Sequence, residues 1–463
     1  MINQNKKLLS ETQLWVIITS VMLVIVILIG ATFYLAGQGS FRGESLEKDL
    51  IAEKVNAYDG GHTWVADALY DLGFAINKQK VKNVELAFQQ YYYKELPDTT
   101  TLTVTTATLF LNNFYDNIAS DNRDLTTTYI LKCYVAAVGD PYSSYYTAEE
   151  FEAFLGSMSG SETKTGIGVM LEANYQENTM KITTVLPGSA AEAAGIKSGD
   201  YIVAIDGVRV SEVGIDNAMT LVAGEVGTTV DITVLRDGAE ITLTATRIQL
   251  SDVTVVSEML DGNIGYVQVI QFKETTPAQF KEAIDKLESD GAVGLIFDMR
   301  GNPGGVLEAV VDMIDYIVPD GHRIASYTIG QTSTTVYTSD DGHSVNLPIV
   351  VLCNGGTASA GELFTAAMSD FADWGIIDAC LVGEQTYGKG VMQSTFKING
   401  GEGLKITLAF YNPPCDINYD GVGVLDVSKP NHIFEVNLTE EDTQLNTAIT
   451  EILKLIESKT TKQ

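Results

Sequence analysis

Apolar residues recur at spacings of three and four along 64–74 (Trp64, Val65, Ala68, Leu69, Leu72) and again along 128–137, the period of a helix with one buried face. Residues 37–160 are therefore expected to be mainly helical. The run PDTTTLTVTTATLFL (97–111) weakens that expectation locally, because it is Thr-rich and β-branched. Near the end of the region, GDPYSSYYTAEEFEAFL (139–155) predicts a turn and then a helix with Thr147 as N-cap. From 161 to 250 the pattern changes to short β-rich runs (KITTVL, YIVAIDG, VDITVLR, EITLTATRI) separated by Gly and Asp, with one short helical stretch, SAAEAAG. Beyond 251, strand-like IGYVQVIQF is followed by helical TPAQFKEAIDKLES, strand-like GLIFDM and helical VLEAVVDMIDYI. This alternation predicts an α/β core over 251–430. Residues 431–463 carry an amphipathic helix with Thr439 as its cap.

At the N-terminus, residues 14–36 form an uncharged apolar run of 23. As a helix it would extend about 35 Å, enough to cross a hydrocarbon core of roughly 30 Å. It is longer than the apolar region of a signal peptide, which favours a permanent anchor. Lys6 and Lys7 precede it, so residues 1–13 are expected in the cytoplasm. The expected location is the cell membrane, single-pass, with the remainder extracytoplasmic.

Charge narrows the partners. There are 29 Lys and Arg against 60 Asp and Glu, a formal net charge of −31. Nucleic acid is excluded, since binding phosphates needs a basic surface. The four cysteines (Cys133, Cys353, Cys380, Cys415) form no CxxC pair and the four histidines are scattered, so no metal site and no cofactor are expected.

Four segments can carry chemistry. Gly166-Ile167-Gly168-Val169 is a flexible loop feeding a strand, whose successive amides can cradle an anion. Asp298-Met299-Arg300-Gly301-Asn302-Pro303-Gly304-Gly305 is a Gly-rich turn between strand and helix, suited to a phosphate or an oxyanion; the absence of a P-loop Lys-Ser/Thr weakens the phosphate reading. The strand Ile349–Leu352 leads into Asn354-Gly355-Gly356-Thr357-Ala358-Ser359-Ala360-Gly361-Glu362, which places Ser359 at a strand-to-helix turn among small neighbours. Alone, it also fits an ordinary N-cap serine. About thirty residues on, Gly383-Glu384-Gln385-Thr386-Tyr387-Gly388-Lys389-Gly390 sets a lysine between two glycines. A lysine pressed into a packed site can lose its proton and serve as a general base, and Ser–Lys pairs replace Ser–His in some hydrolases.

The stretch 163–210, with GIGV, PGSAAEAAGIKSGD and I-x-x-I-D-G in order, resembles a PDZ domain. Together with DMRGNPGG, TASAGELFTAAMSD and GEQTYGKGVMQ it resembles the C-terminal processing peptidases, or tail-specific proteases, over about residues 130–455. The resemblance implies Ser359 as nucleophile, Lys389 as general base and Gln393 as the residue orienting that lysine. It implies an oxyanion hole from the amides of Gly304 or Gly305 and Ala360, and capture of a substrate C-terminus by Gly166, Ile167, Gly168 and Val169 through strand addition. Asp370 aligns with an acidic motif residue of structural role. The expected fold is α+β and multidomain: an N-terminal transmembrane helix, a helical N-terminal region, a PDZ-like β domain and an α/β protease core of the crotonase/ClpP-like type.

Some features depart from the family pattern. Residues 75–125 match nothing in it, and Tyr411-Asn412-Pro413-Pro414-Cys415 stands where a Y-x-P-x-G turn is usual. Asp416–Gly421 fits the first half of a calcium loop, but position twelve is Val427. The expected function is a membrane-anchored serine endopeptidase acting on unfolded or tail-tagged chains through a Ser–Lys acyl-enzyme mechanism. Its expected partners are protein or peptide substrates with free C-termini and the membrane, with self-association left open. The alternative is a non-catalytic, anchored PDZ scaffold.

Overall fold

The structure is a computed structural model that describes residues 45–462 apart from 119–121, 160–163, 175–178, 187, 214, 237, 251–252, 330–332 and 437–441. It divides into two compact units, Met1–Phe151 with Gln393–Ala409 and Glu152–Met392 with Phe410–Gln463.

The first unit is built on helices, including Val65–Leu72, Lys78–Tyr91, Thr99–Asn113 and Arg123–Val138. The Thr-rich run is helical despite its composition. Asp98 accepts from the Thr101 N–H at 2.9 Å and so caps the helix. Leu102, Thr103, Thr106, Ala107, Phe110 and Leu111 form its buried face. The Thr103 hydroxyl donates to the Thr99 carbonyl, so that it enters the core satisfied. Burial here overrides local propensity. Strand Ser144–Tyr146 pairs antiparallel with residues 403–405.

In the second unit, the β-rich stretch forms an antiparallel sheet in the order Val169–Asn174, Thr179–Val185, Tyr201–Ile205, Thr229–Arg236, Ala239–Thr246, which puts Val169–Asn174 at an edge. Ile182, Ile202, Ile205, Ile232 and Val234 fill its core. Arg247 closes the stretch by donating to the carbonyls of Leu221, Val222 and Thr229.

The other sheet runs Val255–Leu260, Ile264–Val269, Gly294–Asp298, Ile349–Cys353, Ala379–Gly383, His432–Phe434. Its first pair is antiparallel and the remaining pairs are parallel. Strands Gly294–Asp298, Ile349–Cys353 and Ala379–Gly383 are buried at every residue, as parallel strands covered on both faces must be. Helices Thr276–Ser289, Leu307–Ile317 and Ala360–Asp373 pack on one face around Phe280, Phe297 and Phe364. Helix Thr443–Lys462 covers the other face through Ala448 and Ile452. The Thr439 cap expected for it lies outside the described residues. Because the three buried strands run parallel, the turns after Asp298, Cys353 and Gly383 leave the same end of the sheet.

The expected fold class is corrected in one respect. It included an N-terminal transmembrane helix, but no helix among the described residues is long and apolar enough to cross a membrane. The run 14–36 on which that expectation rested lies outside the described residues. The architecture is a mixed helix-and-sheet one.

A buried histidine makes this fold sensitive to acid. His432 Nδ1 accepts from the Asp426 N–H at 2.8 Å, which leaves the ring proton on Nε2, 2.7 Å from the Ser369 hydroxyl. Burial, and then the Lys429 ammonium, push His432 down to about 4. The unfolded chain takes up this proton near pH 6.5. Between those values the unfolded state binds more protons, so stability falls as pH falls. The contribution is fully present above pH 6.5 and about 3 kcal/mol of it is lost by pH 4. Urea midpoints at pH 7.5 and 4 should therefore fall further in the wild type than in His432→Gln. Equal falls in the two proteins would refute this account.

Candidate active site

The turn after Asp298 is held from beneath. The buried Asp298 carboxylate accepts from the Tyr266 hydroxyl and from Arg300, each at 2.6 Å, and Arg300 reaches on to Asp442 at 2.7 Å. Asn302, fully buried, donates through Nδ2 to the Val269 carbonyl and accepts the Gly304 N–H at 2.8 Å. Its own carbonyl accepts from Ala358 N–H, which ties this turn to the next.

Two glycines then come too close to their neighbours for any side chain. At Gly304 (φ +96°) a Cβ would lie 2.7 Å from the Ser359 Cβ; at Gly305 (φ +149°) it would lie 1.8 Å from the Phe272 carbonyl oxygen. Phe272 N–H donates to Gly304 and Val306 N–H donates to Phe272, so the chain pairs there as a parallel strand would. That pairing turns the Gly305 N–H to the opposite side.

Ser359 ends the turn after Cys353 with φ +55° and ψ −118°, a conformation that L-residues avoid. The turn is fixed by Thr357, whose hydroxyl donates to the Met299 carbonyl at 2.7 Å, and by Asn354, whose Oδ1 accepts from Gly301 and Gly356. Ala360 is the first residue of helix Ala360–Asp373, so its N–H has no partner within the helix. Among the described residues the amides of Gly305 and Ala360 lack an acceptor, whereas that of Gly304 is engaged by Asn302.

Glu362 joins this turn to the lysine turn. Fully buried, it accepts through Oε2 from the backbone N–H of Ser359 (2.9 Å) and of Lys389 (2.7 Å). Through Oε1 it accepts from Gly388 N–H and the Thr386 hydroxyl, both at 2.6 Å. Burial raises its pKa and the four donors oppose that rise. Lys389 is half-buried. The segment 416–423 wraps its turn: Asp420 accepts from Gly390 N–H, Gly421 N–H donates to Gly388, and Asn418 donates to the carbonyls of Gly390 and Tyr411. The carboxylates that suggested a calcium loop thus face protein donors, Asp416 pairing with Arg323 and Asn412. Asp370 accepts from Cys415 N–H at 3.0 Å and so anchors the turn that leads into this segment.

The structure thus draws Gly304, Gly305, Ser359, Ala360 and Lys389 into one cluster of turns. Gln393 falls in strand Val391–Lys397, in the stretch grouped with the first unit, and its role rests on the resemblance alone. In the β-rich stretch, Gly166 pairs with Ile248, while the carbonyls of Ile167 and Gly168 accept from Ala191 and Leu186. The loop is thereby held in place, and Val169 opens the edge strand.

Residues 263–426 match the model of peptidase family S41, and residues 157–235 match that of the PDZ domain. The chain is 32% identical over 339 residues to the carboxyl-terminal-processing protease of Synechocystis sp. (strain ATCC 27184 / PCC 6803 / Kazusa), covering 71% of this chain and 77% of that one. The chain belongs to peptidase family S41. It is also 35% identical over 305 residues to the carboxy-terminal processing protease CtpA of Bacillus subtilis (strain 168), covering 65% of this chain and 64% of that relative. The match thus spans a little less than two thirds of that protein's length. Among solved structures, the photosystem II D1 C-terminal processing protease is similar with a TM-score of 0.47 and 24% identity, covering 76% of this chain and 91% of that one.

Within this family of serine-type peptidases, the residue that the motifs left without a role is Glu362. A signal for it was present: Ser359-Ala360-Gly361-Glu362 is the S-x-x-E spacing in which an N3 glutamate reaches back to the N-cap amide. Nothing in the spacing announces the second half of its work, the contacts with Gly388 and Lys389. Replacing one carboxylate oxygen by an amide NH2 sets a donor against donors. Glu362→Gln should therefore destabilise the fold by about 2–4 kcal/mol, measurable as a fall in the urea midpoint. A midpoint unchanged within error would show that the four contacts contribute little.

Proposed function

We propose that this protein is a serine endopeptidase that captures the C-terminus of a substrate on its PDZ domain and cleaves the chain at Ser359. The observation that carries the reading is the strained Ser359 at a helix N-terminus, with its amide and that of Lys389 on the same carboxylate oxygen of Glu362. Ser359 Oγ attacks the scissile carbonyl carbon as its proton passes to Lys389 Nζ. The oxygen that gains negative charge is received by the amides of Gly305 and Ala360, which have no acceptor among the described residues. Lys389 then gives the proton to the departing amine. An acyl-enzyme on Ser359 remains, and water activated by Lys389 hydrolyses it. In this reading Gln393 orients the lysine, as the family resemblance implies. The edge strand Val169–Asn174 supports capture by strand addition, with the Gly166–Val169 loop receiving the terminal carboxylate.

The test uses the full chain with an unfolded protein substrate and a peptide of the same tail, ending either in a free carboxylate or in an amide. Ser359→Ala and Lys389→Ala should each lower turnover by about 10³-fold or more. The amidated tail should be cleaved at least about tenfold more slowly than the free one. Equal cleavage by wild type and Ser359→Ala would overturn the assignment of the nucleophile.

A further inference from the structure

Two tyrosines meet the backbone of the two reacting residues, and nothing in the reading above uses them. Tyr411 lies near the end of strand Gly403–Asn412, and its hydroxyl donates to the Lys389 carbonyl at 3.1 Å. Tyr419 donates to the Ser359 carbonyl at 3.3 Å. Their rings meet edge to face, with centroids 5.9 Å apart. Both residues are buried.

A buried phenol in such a place has a narrow range of roles. Burial raises the Tyr411 pKa, so the group stays protonated and acts as a donor rather than as a base. Its single proton goes to the Lys389 carbonyl. The strand that carries Tyr411 is fixed just beyond it. Asn418 Nδ2 holds the Tyr411 carbonyl at 2.7 Å, and Asp370 holds the Cys415 amide. The phenol therefore has little freedom to follow either turn if one of them shifts.

We propose that Tyr411 is a positioning residue: its phenol, bonded to the Lys389 carbonyl and packed edge to face on Tyr419, which holds the Ser359 carbonyl, fixes the lysine turn relative to the serine turn. Tyr419 supports it from the Ser359 carbonyl. Asp370 belongs to the same device, acting through the Cys415 turn rather than on any reacting atom.

The inference rests on the peptidase reading for its meaning, so its test needs a readout that is independent of cleavage. In the full chain, Tyr411→Phe keeps the ring and removes the hydroxyl. It should lower kcat on an unfolded protein substrate about 10-fold to 100-fold, with KM within twofold and the melting temperature close to wild type. Separately, Ser359→Cys places a thiol at the same site, and the pH dependence of its alkylation by iodoacetamide reports the surroundings without any substrate. Adding Tyr411→Phe should raise the apparent pKa of that alkylation and slow it about fivefold or more at pH 7, because the lysine turn is held less firmly and its ammonium stabilises the thiolate less. An unchanged alkylation profile overturns the proposal whatever the kcat. A shifted profile in a protein whose wild type cleaves nothing would uphold the Tyr411 contact and refute the peptidase reading. If Tyr411→Phe does not fold, Tyr419→Phe on the Ser359→Cys background decides: a shift in the same direction supports the proposal and no shift overturns it.

Discussion

A carboxylate taken out of water is stable only when protein donors replace the water it has lost, and Glu362 has four of them. Two of the donors are the amides of Ser359 and Lys389, held by one oxygen atom. The distance between these turns is thereby limited to what a single carboxylate oxygen can span. Glu362 can do this because it stands one turn into the helix that Ser359 begins, so the helix that takes its direction from the serine also carries the group that grips the lysine turn. The parallel sheet makes the arrangement reachable, since turns leaving the same end of neighbouring strands need only short connections to meet.

The third turn joins this pair through main chain rather than charge. Asn302 occupies the gap between the Gly304 amide and the Val269 carbonyl, and its own carbonyl takes the Ala358 amide. Gly304 and Gly305 have no room for a Cβ because the Ser359 Cβ with the main chain of Ala358 and Ala360, and the main chain of Phe272, occupy that space. Beside the serine turn, the Gly305 amide has no acceptor among the described residues. A side chain at either position would move the turns apart before it altered any charge.

Much of this was legible in the sequence, and the gaps have physical causes. Unbroken apolar runs such as Ile349–Leu352 reveal a buried strand, and the glycines around Ser359 and Lys389 reveal tight turns, because those demands fall on single residues. Glu362 was half legible: the contact with Ser359 is local and has a known spacing, while the contacts with Gly388 and Lys389 bridge more than twenty residues and leave no periodic trace. The Thr-rich run 97–111 misleads because its helix is stabilised by a buried face and by Asp98, not by propensity. The acidic run 416–420 resembles a calcium loop only in part, as Val427 at position twelve already indicates. Its carboxylates are spaced as cation ligands are, but amides and Arg323 of the same chain take them. The pairing of 403–405 with Ser144–Tyr146 crosses more than 250 residues of sequence, and no local pattern encodes it.

The conformation of Ser359 follows from the same constraint. A non-glycine residue at φ +55° and ψ −118° costs of the order of 1–3 kcal/mol, and such strain persists only where the surroundings over-determine it. The restraints can be named: Gly304 beneath the side chain, Glu362 on the amide, Tyr419 on the carbonyl. A charge-assisted bond from a buried amide contributes about 1.5–3 kcal/mol, enough to offset the strain but not to leave a wide margin. The strained serine is therefore not a property of its own turn. It depends on a carboxylate that also needs the Gly388 and Lys389 amides in place, so disorder in the lysine turn weakens the hold on the serine. The ordering of the two turns is coupled, so Ser359 keeps its strained conformation only while the lysine turn is in place.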